Sequence, residues 1–335
     1  MSLHREFEFA IETVRSAVQI CRSVQSQIDV GRWSKGDKTP VTVADLAVQA
    51  VVSRRLSEQY ADVPLMAEEG ADELTNPEYA DLQQQVTQHV RTVCPDADSP
   101  ATVAEWVGRG QTGVDMNRRY WVLDPVDGTK GFLRKEQYAI ALALVERGQV
   151  LLGVLACPNL PASLTAPAGE TWGQLYAAVR GQGAEQLNLG PGNVITGRQP
   201  LRVSGASQPA GADWVERVEA NNSNQDITAQ IGQHLGLSAE PHRLDSQAKY
   251  AVVARGEAAL YLRLSLSKSY TEKVWDHAAG MVVTEEAGGR VTDVWGRPLD
   301  LTCGRQFDRN RGIVASNGQI HEAVLAAIRA MVPAE

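Results

Sequence analysis

Apolar residues recur along this chain in two periods, and the alternation between them lays out most of its elements. Phe7, Ala10, Ile11, Val14, Ala17, Val18, Cys21 and Val24 repeat at helical spacing, which predicts a one-sided opening helix. The segment Lys35-Gly36-Asp37-Lys38-Thr39-Pro40 is polar, rich in breakers, and reads as a loop. Thr42 and Asp45 then introduce a second helix that turns Val48, Val51, Val52 and Leu56 inward, with Asp45 in its first turn. Val63 to Ala67 is a short apolar run that ends on Glu68 and Glu69. From Ala71 to Arg118 the periodicity is weak, and helix plus surface loop is expected.

Tyr138 to Val145 and Val150 to Cys157 are β-rich runs joined through Glu146-Arg147-Gly148-Gln149, a hairpin signal. Leu175 to Val179 adds a strand, and Gly181 to Pro200 reads as a loop leading to a second half. That half shows a run at Val215 to Val218, a helix over Ile227 to Leu235 and a strand over Leu260 to Leu264. A helix from His277 to Ala287, stopped by Gly288-Gly289, a strand at Ile313 to Ala315 and a closing helix from Ile320 to Met331 complete it. Strands and helices mixed in both halves predict an α/β sandwich of stacked layers, divided into residues 1–180 and 181–335.

With 335 residues and a net charge of −8, the chain reads as a soluble globular protein. The acidic balance argues against a nucleic-acid polymer as partner and leaves room for small anionic ligands at a local site. Cys21, Cys94, Cys157 and Cys303 are isolated, which suits reduced thiols in a cytoplasmic compartment. Glu6, Glu8 and Glu12 interrupt the amphipathic N-terminus, which reads neither as a secretory signal nor as a membrane span. Gly108-Arg109-Gly110-Gln111-Thr112-Gly113 matches the dinucleotide fingerprint in letters only, because no strand-then-helix context surrounds it.

The densest chemistry lies in Trp121-Val122-Leu123-Asp124-Pro125-Val126-Asp127-Gly128-Thr129. Asp124 and Asp127 are three apart, and on a continuing strand they would face opposite ways, so a turn is expected to make them converge. Converging carboxylates repel unless a cation lies between them or one takes up a proton. Gly128 and Thr129 can offer backbone N–H groups to a phosphate oxygen at the start of the next element. Carboxylates, cation and phosphate in one bend suggest hard-metal phosphate chemistry with oxygen ligands; the competing reading is a polar Asp-Gly hairpin turn.

Asp124-Pro125-Val126-Asp127-Gly128-Thr129, Glu68-Glu69, Pro40-Val41-Thr42-Val43-Ala44-Asp45 and Trp275-Asp276-His277-Ala278-Ala279-Gly280 together resemble the inositol monophosphatase superfamily of magnesium-dependent, lithium-sensitive phosphatases. Lys130-Gly131-Phe132-Leu133-Arg134 and Asp245-Ser246-Gln247-Ala248-Lys249-Tyr250 resemble its 3′(2′),5′-bisphosphate nucleotidase branch. The resemblance implies an αβαβα sandwich and removal of the 3′-phosphate from 3′-phosphoadenosine 5′-phosphate, giving AMP, with action on the sulfated analogue as well. It implies two or three Mg²⁺ ions held by Glu68, Asp124, the Val126 carbonyl, Asp127 and Asp276. Asp45 and Thr129 would orient and deprotonate the attacking water, Gly128 and Thr129 would bind the scissile phosphate, and Ser246, Lys249, Arg263 and Lys273 would bind the nucleotide.

Each residue also has a plainer reading. Asp276 before His277-Ala278-Ala279-Gly280 suits a helix N-cap, Glu68 an exposed acidic turn, Asp45 a first-turn helix charge, and the four substrate residues ordinary surface polarity. The family usually shows histidines where this chain has Asn222 and Gln225, so contacts to the base are expected to differ. Competing functions are an inositol polyphosphate 1-phosphatase or inositol monophosphatase, and a non-catalytic nucleotide sensor lacking ligands or the water-activating pair. A small-molecule substrate and a monomer or weak oligomer away from membranes complete the expectation.

Overall fold

The computed structural model describes residues 3–28, 39–165, 173–218, 222–238, 240–265 and 270–332. The opening periodicity forms α1 (His4–Ser26), whose stripe of Ala10, Ile11, Val14, Ala17, Val18, Cys21 and Val24 is buried. No side chain caps its start, so burial holds it, at about 1.5–3 kcal/mol for each large apolar side chain taken from water. Helix α2 (Thr39–Gln59) starts before the expected Thr42, which moves Asp45 from the first turn into the second. Pro40 does not prevent this, since a first-turn residue needs no N–H partner. Lys35 to Lys38 of the expected loop lie outside the described residues.

After β1 (Leu65–Ala67), the stretch of weak periodicity is largely helical: α3 (Asp72–Thr75), α4 (Ala80–Arg91) and α5 (Pro100–Gly108). Ser99 starts α5 by accepting from the Thr102 N–H at 3.2 Å, and Pro100 takes the first helical position, so a pair that reads as loop works as a cap. The false fingerprint lies at the end of α5 with no strand before it.

Strand β2 (Arg119–Asp127), the short α6 (Thr129–Leu133), the hairpin β3 (Ala139–Glu146) and β4 (Gln149–Cys157), and β5 (Gln174–Val179) follow. Next come β6 (Gly183–Leu189) and β7 (Ile195–Pro200), in the stretch expected to be a loop. Gln186 and Asn188 dilute the apolar signal of β6, and β7 is a largely exposed edge strand, so neither carried a buried run in sequence. The seven strands lie in the order β1-β2-β3-β4-β5-β6-β7. The expected division at residues 180 and 181 therefore falls between two neighbouring strands of one sheet.

The remaining chain gives β8 (Trp214–Glu216), α7 (Asn222–Leu235), β9 (His242–Arg243), α8 (Ala248–Ala254), β10 (Leu260–Arg263) and α9 (Ala278–Glu286). Then β11 (Arg290–Thr292), β12 (Ile313–Ser316) and α10 (His321–Met331) close it. The second sheet has the order β11-β12-β10-β8-β9.

Three apolar cores set the layering. Helices α1 and α2 cover one face of the first sheet through Val14, Val18, Val48, Trp121 and Leu142. Its other face meets α8, α9 and the inner face of the second sheet through Tyr120, Ala141, Tyr250, Val282, Tyr261 and Ile313. Helices α7 and α10 cover the outer face through Trp214, Ile231, Leu262, Val324 and Ile328. The order is αβαβα, as expected. Among the described residues no helix is long and apolar enough to cross a membrane.

Candidate active site

Asp124 and Asp127 converge through a defect in the ladder. Asp124 opposes Ala141 and Asp127 opposes Ala139, with a register shift between them. Opposed residues project from one face, and Ala139 and Ala141 share a face, so the extra residue on β2 turns both aspartates toward α8 and α9. The turn expected from the odd spacing is thus a bulge at Pro125-Val126, where a residue without an N–H is tolerated. Val126 points the other way, into the core under α1 and α2.

Glu68 arrives from the neighbouring strand. β1 runs parallel to β2 with Ala67 beside Leu123, so the next residue emerges level with Asp124. Three side chains fix that exit. Gln49 donates to the Glu69 carbonyl at 2.7 Å and accepts its N–H at 3.0 Å, and Gln111 donates to the same carbonyl at 2.6 Å. Arg305, from the second half, donates to the Ala67 carbonyl while its guanidinium lies 4.6 Å from the centre of the Trp275 ring. It thereby ties the Glu68 loop to the residue before Asp276.

Asp276 precedes α9, whose N-cap position is His277 with no side-chain cap bond, so the Asp276 carboxylate does not cap the helix. Gln247 places it relative to Asp127. Its N–H donates to Asp127 Oδ2 at 2.6 Å, its side-chain nitrogen to the Trp275 carbonyl at 2.9 Å, and its side-chain oxygen accepts from Gly280 at 3.0 Å. Gln247, Gln49, Gln111 and Arg305 were not singled out from sequence, because an internal glutamine or arginine carries no spacing signal of its own.

The electrostatics record how closely the acids gather. Burial, then Asp127, Glu68, Asp276 and Asp45, push the Asp124 carboxyl well above the usual range. Burial and Asp127 do the same to Asp276, with Arg263 opposing. Glu68 is pushed up to about 7 by burial, Glu69 and Asp127, with Arg305 opposing. Asp127 is raised by burial and held back by Lys249. Asp124 Oδ1 is buried and has no hydrogen-bond partner among the described residues.

Asp45 is buried on α2, raised well above its usual value by burial and by Glu69 and Glu68, with the Val126 N–H opposing. Thr129 opens α6, against which α2 packs. No hydrogen bond joins Asp45 and Thr129 among the described contacts. Gly128 takes φ +90°, and a Cβ there would come 2.9 Å from Ser246 Cβ. The first turn of α6 leaves N–H groups without intrahelical partners beside this bend.

A cavity of about 190 Å³ opens here, lined by Asp127, Gly128, Thr129, Ser246, Lys249, Arg263 and Asp276, together with Lys130 and Arg217. Lys249 is buried, donates to the Leu244 and Ser246 carbonyls at 3.1 and 2.6 Å, and is lowered to about 8 by burial. Arg263 pairs with Glu272 at 2.7 Å and donates to the Tyr270 hydroxyl at 3.0 Å. Lys273 does not line the cavity; its ammonium donates to Gln306 at 2.9 Å. The side chains of Asn222 and Gln225 lie outside the described residues.

An all-oxygen donor set with an orphaned buried carboxylate oxygen fits a hard divalent cation. A second group, Glu272, Asp276 and His277, brings ligand atoms within 4.8 Å of one another. There Glu272 is paired with Arg263, and the His277 ring is shared between Glu272 at 3.2 Å and the Tyr250 hydroxyl at 2.8 Å, so two of its three members are already engaged in hydrogen bonds.

Residues 3–332 match the family model described as the inositol monophosphatase family. A 3′(2′),5′-bisphosphate nucleotidase of Oryza sativa is 40% identical over 339 residues, covering 97% of this chain and 93% of the relative. The enzyme of the same name from Schizosaccharomyces pombe is 36% identical, covering 99% and 97%. A 3′,5′-bisphosphate nucleotidase from Arabidopsis thaliana is 38% identical, covering 98% and 97%. Among solved structures, Mycobacterium tuberculosis SuhB superposes with a TM-score of 0.63 at 20% identity, covering 99% and 98%. Bacteroides thetaiotaomicron CysQ, a bacterial member of the inositol monophosphatase family, does so with 0.61 at 20%, covering 94% and 97%.

Proposed function

The chain belongs to the inositol monophosphatase family, and from that premise we propose that it is a 3′(2′),5′-bisphosphate nucleotidase, hydrolysing the 3′-phosphate of 3′-phosphoadenosine 5′-phosphate to AMP and phosphate. The family is metal-dependent, and Mg²⁺ is the cation assigned here, as two or three ions. Glu68, Asp124, the Val126 carbonyl, Asp127 and Asp276 would hold it. Bound there, the metal supplies positive charge to the phosphoryl oxygens and to the attacking water.

The chain's own groups do the rest. Gly128 and Thr129 bind the scissile phosphate through backbone N–H groups at the start of α6. The Thr129 hydroxyl orients the attacking water, and Asp45, buried beside Glu68 and Glu69 with its proton affinity raised above that of a free carboxylate, takes up its proton. The water oxygen forms the new P–O bond as the ester P–O bond breaks, and a proton ends on the leaving 3′-hydroxyl. Ser246, Lys249 and Arg263 border the adjoining cavity and hold the nucleotide, while Lys273, bonded to Gln306 outside that cavity, takes no part in it.

The observation that carries this reading is the orphaned Asp124 oxygen at the centre of an acid cluster that opens, through Asp127, onto a cationic cavity. Full-length likeness to nucleotidases favours a nucleotide over an inositol phosphate. The isolated, unpaired thiols accord with a cytoplasmic site of action. The test is phosphate release from 3′-phosphoadenosine 5′-phosphate, inositol 1-phosphate and inositol 1,4-bisphosphate, each with and without magnesium. Magnesium-dependent release from the nucleotide at least tenfold faster than from either inositol ester is expected; the reverse order overturns the assignment.

A further inference from the structure

The cations of the cavity are not equally engaged. Lys249 is spent on two carbonyls, Arg263 on Glu272, and Lys130 has a partner of its own. Asp245, an acid of the same wall, is held by Arg134 at 2.5 Å. Arg217 differs. It lines the cavity without a hydrogen-bond or ion-pair partner among the described residues, and the adjacent acid, Glu216, is taken by Arg243 at 2.9 Å.

Strand register gives Arg217 a defined neighbour. β8 and β10 run parallel, with Trp214 beside Leu260 and Val215 beside Tyr261. Continued by two residues, the same register sets Arg217 level with Arg263 at the carboxyl ends of both strands. Val215 and Tyr261 face the middle layer, so the two arginines leave the sheet on that side, over the cavity. Like charges side by side on adjacent strands repel unless an anion lies between them. Glu272 serves Arg263, and no acid of the described residues serves Arg217. After burial, both arginines lower the proton affinity of Lys249, with Asp127 and Asp245 opposing, so both guanidinium charges are felt at this corner of the cavity.

We infer that Arg217 is a specificity-determining residue which, with Arg263, grips the phosphate of the substrate that is not cleaved. This rests on the nucleotidase reading above and adds to it a residue whose spacing carried no signal. A guanidinium offers a planar pair of donors to phosphate oxygens, which a lysine cannot reproduce in geometry. Its role concerns recognition: it shares the cavity with Gly128, Thr129 and Asp276, but no described hydrogen bond or ion pair links it to the acid cluster or to α6.

The experiment compares wild type, Arg217→Ala and Arg217→Lys on 3′-phosphoadenosine 5′-phosphate and on 3′-AMP, which lacks the second phosphate. Loss of one charge-assisted contact corresponds to about a tenfold to hundredfold change. Arg217→Ala is expected to raise KM for the bisphosphate by that factor with kcat changed less than about twofold. The preference over 3′-AMP should collapse by the same factor, and Arg217→Lys should recover part of it. An equal change on both substrates, or none on either, overturns the proposal. Wild-type protein inert on both nucleotides removes the nucleotidase reading itself, a result separable from any effect of position 217.

Discussion

The Arg263 guanidinium and the Glu272 carboxylate lie 2.7 Å apart, the acid only 3% exposed. Burial alone would raise the glutamate, but Arg263 and His277 outweigh it and hold it at about 2. Its contribution to stability is therefore complete above the ordinary carboxylate value and is lost as pH falls through about 2. Replacing Glu272 by Gln leaves a buried cation unpaired and frees Arg263 to move. Melting temperature should fall, and KM for the bisphosphate should rise about tenfold with a smaller change in kcat; wild-type KM in a folded variant would show that the pair does not position Arg263.

Asp124→Asn removes one charge from the acid cluster and keeps its shape. Without metal the variant should be more stable than wild type, because repulsion at a buried, unpartnered oxygen is relieved. Activity should drop by at least about a hundredfold. Thermal melts without added magnesium, alongside kcat, check both halves.

The raised carboxyls set a pH dependence. A folded state that binds more protons than the unfolded chain loses stability as pH rises, so metal-free protein should weaken as pH rises from the ordinary carboxylate range through about 7, where Glu68 titrates. Magnesium competes with those protons. Its midpoint concentration should increase as pH is lowered below 7, and the stabilisation it gives should be larger at pH 8 than at pH 6. Calorimetric titration at the two values measures this, and equal affinity at both would contradict the cluster.

Gly131 tests the turn that carries Gly128 and Thr129. A Cβ at this position would lie 2.0 Å from the Gln137 carbonyl oxygen, whereas one at Gly113 would meet nothing within 4 Å. Gly131→Ala should cost about 1–3 kcal/mol in urea unfolding and depress kcat, while Gly113→Ala stays within about 0.5 kcal/mol of wild type.

The fold was legible where one face of an element is buried and the other is wet, as in α1, or where a strand is apolar on both faces, as in the β3–β4 hairpin. It was illegible where that contrast fails: β6 and β7 mix polar residues into the sheet or lie on its exposed edge, and Ser99-Pro100 can serve a loop or a helix start equally. Of the site, Asp124 and Asp127 were readable as converging carboxylates beside a phosphate-binding turn, whereas Glu68, Asp45 and Asp276 each had a plainer reading and were singled out only by the family resemblance. How Asp124 and Asp127 meet was not readable, since a bulge at Pro125-Val126 leaves no mark that distinguishes it from a turn. Gln247, Arg305 and Arg217 act through partners distant in sequence, which only the folded chain brings beside them.

The middle layer has one more consequence. Asp124 and Asp127 belong to a strand formed early in the chain, whereas Asp276 enters with α9, which packs against β4 of the same first sheet. During synthesis, the first sheet therefore emerges before the helices that cover its second face and before Asp276. If Asp276 is the ligand proposed above, fragments ending before α9 lack it and are expected to show no turnover.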